Sequence, residues 1–204
     1  MNMAKRKLLL ATRSKGKFPE IVALLEGLPF EFLNLRDVPE IPDGLEAEET
    51  AETFEGNAII KAKTFGEKTG LLTLAEDAGL EVDALGGKPG VYSARWVSGT
   101  DEDRYMKLLS ELEGVPEEKR TARYLAVVAI YDPDNDKIRT CEGVTEGRIT
   151  AEPKGTSGFG YDPVFWSPDF GQTMAELTID EKNTISHRGR AIRKAREILE
   201  KEFL

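Results

Sequence analysis

Runs of apolar residues along the chain predict five strands, because a buried strand presents apolar side chains at successive or alternate positions. The predicted strands cover residues 8–12, 30–35, 71–75, 121–131 and 137–151. The stretch 121–131 is apolar on both of its alternating faces, which is typical of an interior strand. The polar turn 132–136 then reverses the chain, so we expect the last two strands to pair as a hairpin.

Apolar residues repeated every three or four positions predict four helices. They cover residues 18–26, 50–70 and 101–113, and a last helix that residues 182–190 open. Ser186 is a good N-cap for that last helix. Its apolar stripe consists of Ile192, Ala195, Leu199 and Phe203. The segment 36–49 is rich in Pro and acidic residues and is predicted to be a loop.

Two adjacent carboxylates, Glu76 and Asp77, follow the predicted strand 71–75, and a loop rich in Gly and Pro is expected from Gly79 onward. Acidic side chains at a strand end suit a hard divalent cation, which prefers oxygen ligands. Glycines let backbone N–H groups approach an anion closely. The pattern favours a metal–phosphate site, with an ordinary turn as the alternative.

A second candidate site is the short polar segment 12–17, between the first predicted strand and the first helix. The first backbone N–H groups of a helix are unpaired and bind anions readily. Lys15 and Lys17 add positive charge there. The alternative is a plain turn with solvated lysines; the P-loop pattern is absent.

Lys61 lies within the apolar stripe that Phe54, Ala58 and Phe65 form on the helix predicted at 50–70. A buried lysine without a partner is costly. Lys61 therefore needs an internal carboxylate or a ligand phosphate, unless its ammonium reaches the surface along an extended side chain.

The segment 153–162 places Phe159 and Tyr161 among glycines. An aromatic ring in such a loop can stack on a planar ligand ring, and the alternative is a loop anchored in the core by Phe159. The chain has a single histidine, His187. A Ser–His–Asp nucleophilic site is disfavoured, because no serine lies in a G-x-S-x-G motif.

Composition narrows the classes of function. The 204 residues carry a formal net charge of −9, which argues against binding a nucleic-acid polymer. A small phosphate ligand remains compatible, because local lysines and a metal can reverse the sign of one cleft. One cysteine excludes an intramolecular disulfide framework and a cysteine-rich zinc site. No apolar run suggests a membrane span or a signal peptide, so we expect no membrane partner and a cytoplasmic protein.

Five segments together carry a resemblance to a known family. They include ATRSKGKFPE at 11–20, PKGTSGFGYDPVF at 153–165 and AELTIDEKNTISHRGRA at 175–191, besides the segments 48–63 and 74–95. In these segments, and in their order, the chain resembles the inosine/xanthosine triphosphate pyrophosphatases, which remove deaminated purine nucleotides. The resemblance extends from about residue 8 to residue 191.

The resemblance implies an α/β fold and a reaction. Residues 1–204 would form one elongated domain of two lobes without a separate linker, around a long twisted mixed sheet with flanking helices. The active cleft would lie between the lobes, and the protein would form a homodimer. Nonstandard purine nucleoside triphosphates (ITP, dITP and XTP) would be hydrolysed to the monophosphate and pyrophosphate, with Mg²⁺ as cofactor.

Further roles implied by the resemblance concern the triphosphate and the metal. The first loop would hold the triphosphate through Thr12, Arg13, Ser14, Lys15, Gly16 and Lys17. Lys61 would be a second phosphate lysine. Glu48 and Asp77 would bind Mg²⁺, with Glu76 as an additional candidate ligand, and Asp77 would act as general base.

The base would be bound by the later segments. Phe159 would stack on the purine, with Gly160, Tyr161 and Asp162 beside it. Contacts to the base edge would come from Lys182, Ser186, His187 and Arg188. Donors at that edge satisfy a 6-oxo group but oppose the 6-amino group of adenine, and unpaired buried polar groups discriminate strongly.

Arg95 and Ala78 complete the predicted substrate-binding residues. Ala78 stands where relatives often have Ser, which removes one hydroxyl contact, and Ser14 stands where Asn is common. Two other functions remain open: a pyrophosphatase for modified pyrimidine nucleotides, and a catalytically silent nucleotide-binding protein.

Overall fold

The computed structural model describes residues 5–204 of the chain. Within that range the strands are β1 Arg6–Leu10, β2 Phe30–Asn34, β3 Leu72–Val82, β4 Thr121–Asp132, β5 Lys137–Ile149, β6 Phe165–Ser167 and β7 Gln172–Thr173. The α-helices are α1 Lys17–Leu25, α2 Phe54–Thr69, α3 Asp101–Glu111, α4 Ile179–Ile185 and α5 His187–Glu202. None of the helices in 5–204 is both long and apolar enough to cross a membrane.

The seven strands form one sheet in the order β2-β1-β3-β4-β5-β6-β7. β1 pairs in parallel with β2 and β3, whereas β6 pairs antiparallel with β5 and β7. The sheet is therefore mixed, and the predicted α/β class is confirmed. β4 and β5 are neighbours joined by the turn 133–136, so the predicted pairing of these two strands is confirmed.

The chain divides into two compact units. The first comprises the described part of Met1–Asp77 together with Val127–Glu142 and Ala191–Leu204. The second comprises Ala78–Ala126 and Gly143–Arg190.

Each unit has its own apolar interior. In the first, the predicted stripe of α5 is buried, as are Phe54, Ala58 and Phe65 of α2. Arg6 ties β1 to the end of α5 by donating to the carbonyl of Phe203 at 2.9 Å. In the second unit, one cluster includes Leu80, Leu108, Tyr124, Tyr161 and Phe165. The spacing of apolar residues in the sequence thus correctly predicted which faces of the helices and strands are buried.

β3 is longer than the sequence predicts. The predicted strand 71–75 ends before Glu76, but β3 continues through Glu76, Asp77 and Gly79 to Val82. The prediction of a strand end at the acid pair is therefore wrong, and the loop begins only after Val82. β1 pairs with β3 over residues 72–74, and β4 is the neighbour of β3 on the other side. Paired backbone groups stabilise the strand despite two carboxylates and a glycine, which weaken it locally.

The C-terminal region contains one helix more than predicted. The last helix, α5, begins at His187, directly after the predicted cap, whereas Lys182 lies in α4, a separate helix that was not predicted. The predicted cap is confirmed, because Ser186 Oγ accepts a hydrogen bond from the Gly189 N–H at 3.0 Å. β6 and β7 have three and two residues, too few to show a period of two in the sequence.

Candidate functional site

The polar segment before α1 is held by its own side chains. Thr12 Oγ1 accepts from the Ser14 N–H at 3.1 Å, and Ser14 Oγ accepts from the Lys17 N–H at 3.3 Å. No side chain caps α1 at Gly16. This arrangement is a strand–turn–helix junction at which an anion can meet the helix N-terminus.

A cavity of about 210 Å³ opens at this junction. It is lined by Thr12, Arg13, Ser14, Lys15, Phe18, Pro19, Asn34 and Arg36. Four of the six predicted triphosphate residues therefore share one cavity, with Arg36 as a cation that the sequence prediction did not include. Arg13 also has a second task, because its Nη2 donates to the carbonyls of Pro42 and Leu45.

Glu76 and Asp77 each pair with a lysine from a different helix. Lys17 Nζ of α1 lies 3.1 Å from Glu76 Oε1, and Lys61 Nζ of α2 lies 2.7 Å from Asp77 Oδ1. The two carboxylates therefore have different lysine partners, although they are adjacent in the sequence.

Lys61 has a second carboxylate partner, because Glu49 Oε1 lies 3.2 Å from the same ammonium. The requirement for an anion beside Lys61 is thus met inside the protein. Glu49 lies in the acidic run before α2 and was not among the predicted site residues. Asp77 Oδ2, by contrast, is buried and has no hydrogen-bond partner among the described residues.

Glu48 is exposed, and its carbonyl accepts from the Thr50 N–H at 2.9 Å. Within residues 5–204, no group of three or more His, Cys, Asp or Glu residues is placed to hold a metal ion. The structure therefore does not gather Glu48, Glu76 and Asp77 into a three-carboxylate site.

In the second unit, Asp162 organises the aromatic loop. Asp162 Oδ2 accepts from the Phe159 N–H at 2.9 Å and from Lys182 Nζ at 2.7 Å. Lys182 Nζ lies 4.6 Å from the centre of the Phe159 ring, and Arg188 Cζ lies 5.4 Å from it. Phe159 itself is only partly buried. Two cations thus lie beside its ring, and Phe159 does not anchor the loop in the core.

The loop depends on glycine at a close approach. Gly158 has φ +79°, and a Cβ there would lie 2.1 Å from Asp162 Oδ2. Any side chain would displace the carboxylate that holds Phe159 and Lys182. On the far side of the loop, the Gly160 N–H donates to Asp101 Oδ2 at 2.7 Å.

Several of the predicted substrate-binding residues make contacts within the protein or offer no polar side-chain group. Tyr161 is buried and its hydroxyl donates to the Ser93 carbonyl at 2.9 Å. Ser186 caps α5. Arg95 is exposed, with its guanidinium 5.1 Å from the centre of the Tyr92 ring. Ala78 follows Asp77 in β3 and offers no polar side-chain group.

His187 is buried, and its ring stacks on Tyr124 with centroids 4.6 Å apart and an interplanar angle of 13°. The Tyr124 hydroxyl lies 3.5 Å from Asp162 Oδ1. Tyr124 is a residue that sequence reasoning missed, because an aromatic in an apolar strand gives no sign of a polar neighbour. Phe159, Asp162, Lys182, His187 and Arg188 are thus brought together as one group.

The chain is similar along nearly its whole length to proteins of one family. It is 49% identical over 197 residues to a dITP/XTP pyrophosphatase of Symbiobacterium thermophilum, covering 97% of this chain and 96% of that protein. It is 50% identical over 200 residues to a dITP/XTP pyrophosphatase of Desulforamulus reducens, covering 97% and 98%. A solved HAM1 protein from Coxiella burnetii has a TM-score of 0.86 and 40% identity, covering 96% of this chain and 98% of that one.

The family model described as the Ham1 family matches residues 8–198. That range contains both groups of site residues described above. The chain therefore belongs to the Ham1 family.

Proposed function

We propose that the protein hydrolyses nonstandard purine nucleoside triphosphates, namely dITP, XTP and ITP, to the nucleoside monophosphate and pyrophosphate. The names of the two curated relatives support this substrate class. The observation that carries the proposal is the Asp77 carboxylate. One of its oxygens pairs with Lys61, and the other is buried without a hydrogen-bond partner in the described chain.

We further propose that Asp77 Oδ2 faces a Mg²⁺ ion. A buried carboxylate oxygen without a donor is costly, and a hard cation would satisfy it. Mg²⁺ usually keeps several waters and takes one or two carboxylates together with substrate phosphates, so it does not need a three-carboxylate group. Glu48 remains the proposed second ligand, whereas the contact of Glu76 with Lys17 favours a charge-balancing role. When bound, the ion would neutralise charge on the triphosphate.

The chemical step needs a base and positive charge. In our mechanism Lys61 exchanges Asp77 Oδ1 for a substrate phosphate, and Oδ1 then takes a proton from a water whose oxygen forms a bond to the α-phosphorus. The bond from the α-phosphorus to the bridging oxygen breaks, and its electron pair leaves with pyrophosphate. Lys17 and Lys61, held beforehand by Glu76 and by Asp77 with Glu49, are then available to stabilise that negative charge.

The second group would bind the base. Phe159 offers a partly exposed ring for stacking, and base–aromatic stacking contributes about 1–3 kcal/mol. Lys182, His187 and Arg188 are the proposed donors to the 6-oxo group. Asp162 supports them, since it binds both Lys182 and the Phe159 loop.

The first prediction tests the reaction and the base. With Mg²⁺ and ITP, the wild-type protein should release pyrophosphate, and Asp77→Asn should lower kcat about a thousandfold, because a positioned base contributes 10²–10⁴ in rate. Asp83→Asn, an exposed carboxylate beyond β3, serves as the control and should retain activity. Thermal unfolding of each variant would show that it is folded.

If the Asp77→Asn variant is folded and hydrolyses ITP as fast as the wild type, Asp77 is not the general base. Tight ITP binding without pyrophosphate release by the wild type would favour a silent nucleotide-binding protein. A panel of substrates that includes modified pyrimidine triphosphates tests the remaining alternative.

The homodimer, the single domain of two lobes and the cytoplasmic location stay predictions. Sedimentation equilibrium would test the homodimer.

A further inference from the structure

Tyr124 lies in β4 and contacts two residues, His187 and Asp162, of the group that binds the base in the proposed function. Its ring is buried and contacts two other rings. Phe165 lies on one side, with centroids 4.5 Å apart and an interplanar angle of 42°. His187 lies 4.6 Å away, and its ring is nearly parallel at 13°. Tyr124 therefore connects the apolar core to the only histidine of the chain.

The hydroxyl of Tyr124 points to the same group. It lies 3.5 Å from Asp162 Oδ1, while Asp162 Oδ2 accepts from Lys182 Nζ and the Phe159 N–H. Burial, followed by the charge of Asp162, raises the pKa of Tyr124 well above its ordinary value. The phenol therefore keeps its proton and remains a donor at working pH.

A stacked ring restricts its neighbour in a specific way. His187 is the first residue of α5, so the helix fixes its backbone, and Ser186 caps that end of the helix. With the backbone fixed, a parallel neighbour at 4.6 Å fixes the plane of the imidazole. Both ring nitrogens are then confined to that plane. A leucine at 124 would keep an apolar side chain in the core but would impose no plane.

We propose that Tyr124 is a positioning residue for recognition of the substrate base, because its ring orients His187 and its hydroxyl supports Asp162. This inference rests on the proposed function, which places His187 and Lys182 at the base edge. Tyr124 touches no substrate in this scheme. It acts by keeping a donor within the narrow range of positions that productive binding requires.

The kinetic test compares variants of two neighbouring core rings. Tyr124→Leu removes the stack on His187, and Tyr124→Phe removes only the hydroxyl. Phe165→Leu removes the other ring that packs against Tyr124 and leaves the stack of Tyr124 on His187 in place. For Tyr124→Leu we expect KM for ITP to rise about tenfold with a smaller change in kcat, and the preference for ITP over ATP to fall by a similar factor. Tyr124→Phe should keep most of that preference.

Phe165→Leu is the matched control for loss of core packing. It should lower the unfolding temperature as Tyr124→Leu does, but it should leave KM and the preference for ITP over ATP close to wild type. Equal kinetic losses in the two leucine variants, or an unchanged preference in Tyr124→Leu, would overturn the positioning role.

A second measurement does not depend on activity or on variant stability. Untagged protein has one imidazole, so its carbon-bound proton signals are assigned without ambiguity by NMR. In the wild type they should be shifted upfield by the Tyr124 ring and show cross-relaxation to it. They should move again when ITP is added. Signals at random-coil positions without that cross-relaxation would overturn the inference.

The two measurements separate this inference from the proposed function. A wild-type protein that releases no pyrophosphate from ITP fails the proposed function. An imidazole signal that still responds to ITP in wild type, and not in Tyr124→Leu, supports the positioning role even then. An imidazole signal that ITP moves equally in both proteins contradicts it.

Discussion

At the scale of single residues, the candidate site is a set of cations that already have carboxylate partners. Lys61 is largely buried and lies beside both Asp77 and Glu49, and Lys17 lies beside Glu76. Each pair reduces the cost of holding charge away from water. A phosphate ligand must therefore exchange with an internal carboxylate, which ties stability and binding to the same side chains.

Lys61→Ala should accordingly lower both stability and affinity. Removing it leaves two carboxylates close together without their cation, and breaking a buried pair costs about 3 kcal/mol or more. Urea unfolding measures the first effect, and ITP binding to the variant measures the second. Lys63→Ala on the same helix is the control, because Lys63 pairs with the exposed Asp136. If the two variants have the same stability and the same affinity for ITP, Lys61 neither stabilises the site nor binds the phosphate.

At the scale of elements, the junction of α4 and α5 positions the second group. Thr178 Oγ1 accepts from the Glu181 N–H at 3.3 Å and caps α4, while Ser186 caps α5. Gly189 allows the tight junction, because a Cβ there would lie 2.1 Å from the Asn183 carbonyl oxygen. The junction places Lys182 on one helix and His187 at the start of the next.

Ser186→Ala tests whether that serine is a cap or a ligand for the base. Loss of the cap should cost about 1 kcal/mol of unfolding free energy. Thr178→Ala removes the corresponding bond of α4 and is the matched control. If Ser186 also contacts the base, only Ser186→Ala should raise KM for ITP. Equal KM values in both variants would limit Ser186 to capping.

At the scale of the whole molecule, the net charge of −9 and the phosphate ligand are compatible. The acidic residues near the site pair with lysines, and the cavity before α1 is lined by Arg13, Lys15 and Arg36.

The single cysteine, Cys141, provides a chemical test of whether the whole protein is folded. Its Sγ donates to the Ala191 carbonyl at 3.4 Å.

Burial raises the pKa of the Cys141 thiol to about 11. At pH 8 the folded protein should therefore react with a disulfide reagent roughly a hundredfold more slowly than the unfolded chain, because the thiolate is the nucleophile. Because the pKa is higher in the folded protein than in the unfolded chain, the thiol stabilises the fold at pH values below its ordinary pKa. This contribution to the free energy of unfolding is lost as the pH rises towards about 11. Cys141→Ala should lack that part of the pH dependence. Equally fast reaction of native and unfolded protein would contradict the burial of the thiol.

The sequence alone determined the features that depend on local pattern. The strands 8–12 and 30–35, the interior strand at 121–131 and the stripe of α5 were predicted within a few residues, because periodic apolar positions must be buried. The cap at Ser186 was predicted for a similar reason, since unpaired N–H groups of a first turn need a nearby oxygen. The requirement for an anion beside Lys61 also followed from burial alone.

Only the tertiary structure decided which groups meet. It extended β3 through Glu76 and Asp77, beyond the residues that pair with β1, with β4 as its other neighbour in the sheet, and it gave each carboxylate a different lysine. It also placed Tyr124 against His187, two residues 63 positions apart in the chain. The local sequence pattern predicts which positions of a helix or strand are buried and which chemical group each side chain provides. Partners distant in sequence are set by the packing of one element on another, which no single stretch of the chain encodes.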